Sequence, residues 1–179
     1  MWGLVGKSPF YLHRQNRNTE MSRLIGEYEC RIDGKGRLII PARLKRQLPP
    51  EAQEKLVINR SLDKCLVLFT KADWEKESEK LDGLNMFNAQ HRQFIRLYHN
   101  GANEIAVDMS DRILIPKNLK EYAEINTDVV LFAYGNRIEI WSEKVYRQEL
   151  NTDSEAFAGL AEQVMGNKKT DEPHRPDSA

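Results

Sequence analysis

Two short stretches of this chain pair an aspartate with an arginine four positions on: Asp33-Gly34-Lys35-Gly36-Arg37, and Asp108-Met109-Ser110-Asp111-Arg112 75 residues later. An apolar triplet and a proline follow each, Leu38-Ile39-Ile40-Pro41 and Ile113-Leu114-Ile115-Pro116. Arginine offers a planar fork of donors that fits phosphate or the edge of guanine, and Lys35 adds a point charge able to follow a phosphate backbone. Glycines bring peptide groups close to a ligand. An aspartate across a tight turn can accept the arginine's donors or the turn's amides, and so aim the guanidinium. The alternative is a solvated turn pair of small energetic consequence. Recurrence of the same pair in a second stretch counts against that alternative, because random surface charges need not survive divergence.

The surroundings of the two pairs differ. From Arg31 to Arg46 the bases are Arg31, Lys35, Arg37, Arg43, Lys45 and Arg46 against Asp33 alone. From Asp108 to Glu121, Arg112, Lys117 and Lys120 face Asp108, Asp111 and Glu121. The first patch is cationic and the second neutral. The whole chain carries 27 basic and 27 acidic residues, so any polyanion face must be local rather than global.

Other chemistries find little footing. His13, His91, His99 and His174 have no metal-binding spacing, and no metal or cofactor is expected. Cys30 and Cys65 are too few for a disulfide scaffold and too far apart for a zinc knuckle, which suits a reducing cytoplasm. Neither a phosphate-cradling glycine loop nor a nucleophile elbow is present. Asp33 and Asp108 resemble a paired-carboxylate acid/base site, but the neighbouring arginines would hold both ionised. The expectation is a protein that is not an enzyme. No apolar run approaches the ~18 residues of a membrane helix, so no membrane partner is expected.

The elements that must position the two turns form a duplication of about 50 residues per copy. Each reads as strand, turn, strand, short helix, strand, turn, strand, helix. Tyr28, Cys30 and Ile32 alternate with Glu27, Glu29 and Arg31; Leu38 to Ile40 is a second strand; Ala42 to Leu48 is a short helix stopped by Pro49 and Pro50. Leu56 to Ile58 and Leu66 to Phe69 follow, then a helix from Thr70 with Asp73 as its capping partner. The second copy repeats this, ending in Arg137 to Trp141 with strict alternation. Trp74, Trp141, Phe69 and Phe132 read as core. Asn88 opens a connecting helix carrying Phe94, Leu97 and Tyr98 and ended by Gly101. The boundaries drawn are 1–20 for a disordered or untranslated leader before Met21, 21–84 for the first repeat with its helix, 85–101 for the connector, 102–150 for the second repeat, 151–166 for a C-terminal helix and 167–179 for a disordered tail. Phe157, Leu160, Ala161, Val164 and Met165 give the C-terminal helix an apolar stripe, for its own domain or for a neighbouring subunit.

One such unit buries too little surface to fold comfortably alone. Pairing the two copies' apolar faces yields one α+β domain, a pseudo-dimeric β-barrel with peripheral helices, in which both Asp-to-Arg turns lie near a pseudo-twofold axis and point out on the same side.

With Asp33-Gly34-Lys35-Gly36-Arg37 ahead of Ile40-Pro41, and Asp108 to Arg112 ahead of Ile115-Pro116, the sequence from about Met21 to Gly166 resembles the bacterial MraZ family. The resemblance implies tandem swapped-hairpin repeats, assembly into ring-like homo-oligomers, and a cytoplasmic, nucleoid-associated transcriptional regulator. That regulator would bind direct repeats in double-stranded DNA and repress the division and cell wall gene cluster, its own promoter included. It also implies DNA contact at Asp33, Lys35, Gly36 and Arg37, with Arg37 essential, and at Asp108 and Arg112; Arg43 joins them from the cationic patch. The chain departs from the family pattern in two places. Asp111 stands where a glycine usually precedes the second arginine, and a leader precedes Met21. Aspartate enters a left-handed turn less freely than glycine and sets a negative charge beside Arg112, so the first copy is expected to supply most DNA affinity. A rival from another class is an oligomeric scaffold whose turns bind an acidic protein partner.

Overall fold

The computed structural model describes residues 23–166, so the expectations for 1–20, Met21 and 167–179 lie outside the described residues. The first repeat runs β1 (Leu24–Arg31), β2 (Arg37–Ile39), α1 (Ala42–Lys45), β3 (Lys55–Arg60), β4 (Leu66–Phe69) and α2 (Lys71–Glu79). The connector is α3 (Ala89–His99). The second repeat runs β5 (Asn103–Ala106), β6 (Arg112–Leu114), α4 (Lys117–Tyr122), β7 (Asp128–Gly135), β8 (Arg137–Ser142) and α5 (Glu143–Glu149), with α6 (Ser154–Gly166) after it.

Local chemistry accounts for most boundaries. Thr70 Oγ1 accepts from the Asp73 amide at 3.1 Å, and Asn88 Oδ1 accepts from Gln90 at 2.8 Å, satisfying donors that the starts of α2 and α3 leave without carbonyl partners. Pro41 and Pro116 stand just before α1 and α4, with φ −57 and −56 already suited to a helix start. The helix expected over 42–48 is a single α turn, after which Gln47 and Leu48 bond three residues back, to Leu44 and Lys45. A proline disfavours the α conformation in the residue before it, so the Pro49-Pro50 pair tightens the end of the helix.

A six-stranded sheet in the order β1-β7-β8-β4-β3-β5 and a separate ribbon, β2-β6, hold the molecule together, all antiparallel. The sheet order is unchanged when the two repeats are exchanged. Each repeat therefore gives its first strand to the other: β1 lies along β7, from Leu24 opposite Gly135 to Arg31 opposite Asp128, and β5 lies along β3. A pseudo-twofold axis passes between β4 and β8, where Val67 faces Glu139, and between β2 and β6, where Leu38 faces Ile113. Bridges from Ile32 to Leu38 and from Val107 to Ile113 join the ribbon to the strands that precede each turn.

The core follows the same symmetry. Leu38, Leu44 and Leu68 and their counterparts Ile113, Leu119 and Ile140 are all buried in one cluster. Each contributes about 1.5–3 kcal/mol by leaving water.

Two expectations need correction. Strand β8 does not alternate: Ile138, Glu139, Ile140, Trp141 and Ser142 are all buried. Its outer face meets a second cluster of Cys65, Val130, Trp141 and Tyr146, and Glu139 is satisfied there by Tyr134 Oη at 2.7 Å and Trp141 Nε1 at 2.8 Å. Of the aromatic residues read as core, Phe69 and Trp141 are buried, while Trp74 and Phe132 are half-buried. The stripe on α6 does not lie on its own domain among the described residues: every residue of the helix is exposed, Phe157 to 66%.

Candidate nucleic-acid interface

Each Asp-to-Arg turn is a small closed circuit. In the first, the Asp33 amide donates to the Arg37 carbonyl at 2.9 Å and the Gly36 amide to the Asp33 carbonyl at 2.9 Å. Asp33 Oδ1 then accepts from the amides of Lys35 and Arg37, both at 2.9 Å. Its Oδ2 takes Arg37 Nε and Nη2, both at 2.7 Å. The second turn repeats every bond. Asp108 Oδ1 accepts from Ser110 at 2.8 Å and Arg112 at 3.0 Å, and Oδ2 from Arg112 Nε and Nη2 at 2.8 Å. One carboxylate thus both closes the turn and holds the near edge of the guanidinium. Among the described residues Nη1 of either arginine has no bonded partner, which leaves the end-on pair, one Nη1 proton and the second Nη2 proton, for bidentate recognition.

The same bonds fix the charge state. Hydrogen bonds from the Arg37 amide and side chain hold the Asp33 carboxyl well below the usual carboxylate range, at about 2. At Asp108, desolvation works upward but is outweighed by the amides of Arg112 and Ser110 and by the guanidinium, so its pKa also falls. Neither can serve as a proton donor near neutrality.

Each turn is clamped by the other repeat. Ile115 donates its amide to the Gly36 carbonyl at 3.0 Å, and Ile40 to the Asp111 carbonyl at 2.8 Å. Gly36 and Asp111 occupy the matching position, at φ 82 and 58. Asp111 therefore does take the left-handed conformation, which a short polar side chain tolerates better than most. On the ribbon, Arg37 faces Leu114 and Ile39 faces Arg112, with Leu38 and Ile113 buried between them. Strand alternation then puts both arginines on the face turned away from the core, beside Ile39 and Leu114, which are 57% and 58% exposed.

The remaining sequence candidates are dispersed. Lys35 is exposed at the tip of the first turn. Arg43 is exposed on α1, with no side-chain bond to either turn among the described residues. The cationic patch is narrower than its composition suggests, because acids of the second repeat neutralise part of it: Arg31 pairs with Asp128 at 2.9 Å, and Lys45 with Asp111. Lys120 was missed. It approaches the first turn from the second repeat, its Cδ 4.0 Å from where a Cβ on Gly36 would lie. The signal was available, since Lys45 and Lys120 keep the same 75-residue offset as the two turns.

His91 Nδ1 lies 3.0 Å from the Asn85 amide, and His99 Nδ1 lies 3.0 Å from the Ile95 carbonyl; His13 and His174 lie outside the described residues. Among the described residues no group of three His, Cys, Asp or Glu side chains is placed to hold a metal, and no helix is long and apolar enough to cross a membrane.

The sequence profile of the family described as "MraZ protein, putative antitoxin-like" matches residues 24–97 and 99–167. The chain belongs to the MraZ family. Among MraZ relatives, it is 42% identical over 152 residues to "Transcriptional regulator MraZ" of Christiangramia forsetii, covering 84% of this chain and 98% of the relative. It is 40% identical over 144 residues to the protein of the same name from Cytophaga hutchinsonii, covering 80% and 95%. With that of Carboxydothermus hydrogenoformans the identity is 36% over 141 residues, covering 79% and 96%.

Proposed function

We propose that this MraZ-family chain is a sequence-specific DNA-binding transcriptional regulator that reads duplex DNA with its two Asp-to-Arg turns. The observation that carries this reading is the pair of identically wired turns on one antiparallel ribbon, with both arginines on its outer face. A two-stranded ribbon fits the major groove, where a guanidinium can meet guanine O6 and N7. Lys35, Arg43 and Arg46 supply sequence-independent, salt-dependent attraction, and Arg37 supplies selectivity. The names of the relatives favour the same class.

The ribbon and sheet act in this reading as one pseudo-dimeric barrel of swapped hairpins, joined through the Ile32 and Val107 bridges. One chain touches too few bases for strong selectivity. Several chains in a ring, with α6 covering a neighbour, would engage successive direct repeats, so that modest single-site affinities multiply through effective concentration. The target is the DNA upstream of the chain's own coding sequence and of the division and cell wall genes, the outcome repression, and the location the cytoplasmic nucleoid. A titration of that upstream DNA with the wild type and Arg37→Ala at fixed salt tests the assignment. Binding should fall by about 5- to 160-fold, the ~1–3 kcal/mol typical of a bidentate base contact. Unchanged binding would refute it. Association with protein partners alone, with no salt-sensitive DNA binding, would favour the scaffold reading instead.

A further inference from the structure

We infer that Lys120, supplied by the second repeat, is a phosphate-binding residue of the first turn, and that its counterpart Lys45 is withheld from DNA by Asp111. The two lysines are related by the pseudo-twofold axis: each ends the stretch Pro-x-x-Leu-Lys, Pro41 to Lys45 and Pro116 to Lys120. Leu44 and Leu119 are fully buried and fix the rotation of α1 and α4, so each following lysine is carried toward the opposite repeat's turn. There the symmetry breaks at one atom group. Asp111 Oδ1 receives Lys45 Nζ. Gly36, the matching residue, has no side chain, and Lys120 Cδ lies 4.0 Å from where a Cβ on it would be. Among the described residues no carboxylate lies within ion-pairing distance of Lys120.

The charge consequence is large for so small a change. Around the first turn Lys35, Arg37 and Lys120 stand against Asp33, a net of two positive charges. Around the second, Arg112 and Lys45 stand against Asp108 and Asp111, a net of zero. A phosphate group is drawn to the first turn, with cations from both repeats closing on it, and the second turn is left to weak contact.

This inference rests on the DNA reading, and its test separates the two. Binding of a fluorescein-labelled duplex from the chain's own upstream DNA is followed by anisotropy between 50 and 200 mM salt. Each phosphate contact contributes a slope of about 0.9 in log affinity against log salt, about a 3.5-fold change over that range. Lys120→Ala should flatten the slope by about that amount, and Lys120→Arg should restore it. Asp111→Asn and Asp111→Gly, both compatible with a left-handed turn, should steepen it by freeing Lys45. Slopes equal to the wild type in Lys120→Ala, or in both Asp111 variants, overturn the inference while leaving the DNA reading intact. A wild type whose binding responds neither to salt nor to Arg37→Ala overturns both.

Discussion

Truncation at the pseudo-twofold axis tests whether the two repeats are one folding unit. Leu38 is fully buried and faces Ile113, its fully buried counterpart, across the ribbon. Leu38→Ala removes three heavy side-chain atoms from a position with no water access, and such deletions cost about 2–5 kcal/mol. That is a large share of the ~5–15 kcal/mol that holds a typical domain together. Ile113→Val should cost about 0.5–1.5 kcal/mol in the intact protein. In the Leu38→Ala background the methyl removed from Ile113 already borders the new cavity, so its loss should cost less. The double variant should therefore be more stable than the sum of the singles predicts, by about 0.5 kcal/mol or more. Urea unfolding followed by tryptophan fluorescence in a Trp2→Phe background, which leaves Trp74 and Trp141, one in each repeat, measures this at fixed protein concentration. As a control, Leu38→Ala combined with Tyr146→Phe should be additive within about 0.5 kcal/mol, since Tyr146 belongs to the second cluster. Additivity for Leu38 with Ile113, or two separate transitions for the two tryptophans, would refute the idea of one intertwined unit.

Three further outcomes follow from the site and its surroundings. Arg112→Ala should weaken DNA binding less than Arg37→Ala in the same titration, because Lys45 is already neutralised beside the second turn; an equal loss would count against the asymmetry. The Asp33 carboxyl carbon, followed by NMR, should titrate near pH 2 rather than near the ~3.9 of a free aspartate. With its folded pKa depressed, its contribution to the turn is complete above pH ~4 and lost as the pH falls through about 2. Burial pushes the Cys65 thiol up to about 12 and raises that of Cys30, so a disulfide reagent at pH 8 should label the native protein slowly and the urea-unfolded protein at once. Native labelling of Cys65 within seconds would contradict the burial of the second cluster.

Much of the architecture was legible because the sequence states its repeat twice. A tight turn between strands, a buried Leu-Lys step after a proline, and the 75-residue offset all survive in side-chain type, and they locate both turns and the elements around them. What the sequence could not carry was pairing over long separations. The partners of Arg31 and Lys45 are Asp128 and Asp111, both in the other repeat, so a count of local charge overstated the cationic patch. Glu139 carries the signal of an exposed strand position, yet its partners Tyr134 and Trp141 make burial tolerable. Lys120 looked like one charge in a neutral stretch until the swap of strands brought it beside Gly36.

The most direct measurement is selection of bound fragments from the organism's sheared genomic DNA, with wild type and Arg37→Ala run side by side and the fragments sequenced. The wild type should enrich the region upstream of its own coding sequence, centred on direct repeats, and Arg37→Ala should lose that enrichment. No enriched region, or one retained in full by Arg37→Ala, would contradict the claim that the paired arginine turns read DNA.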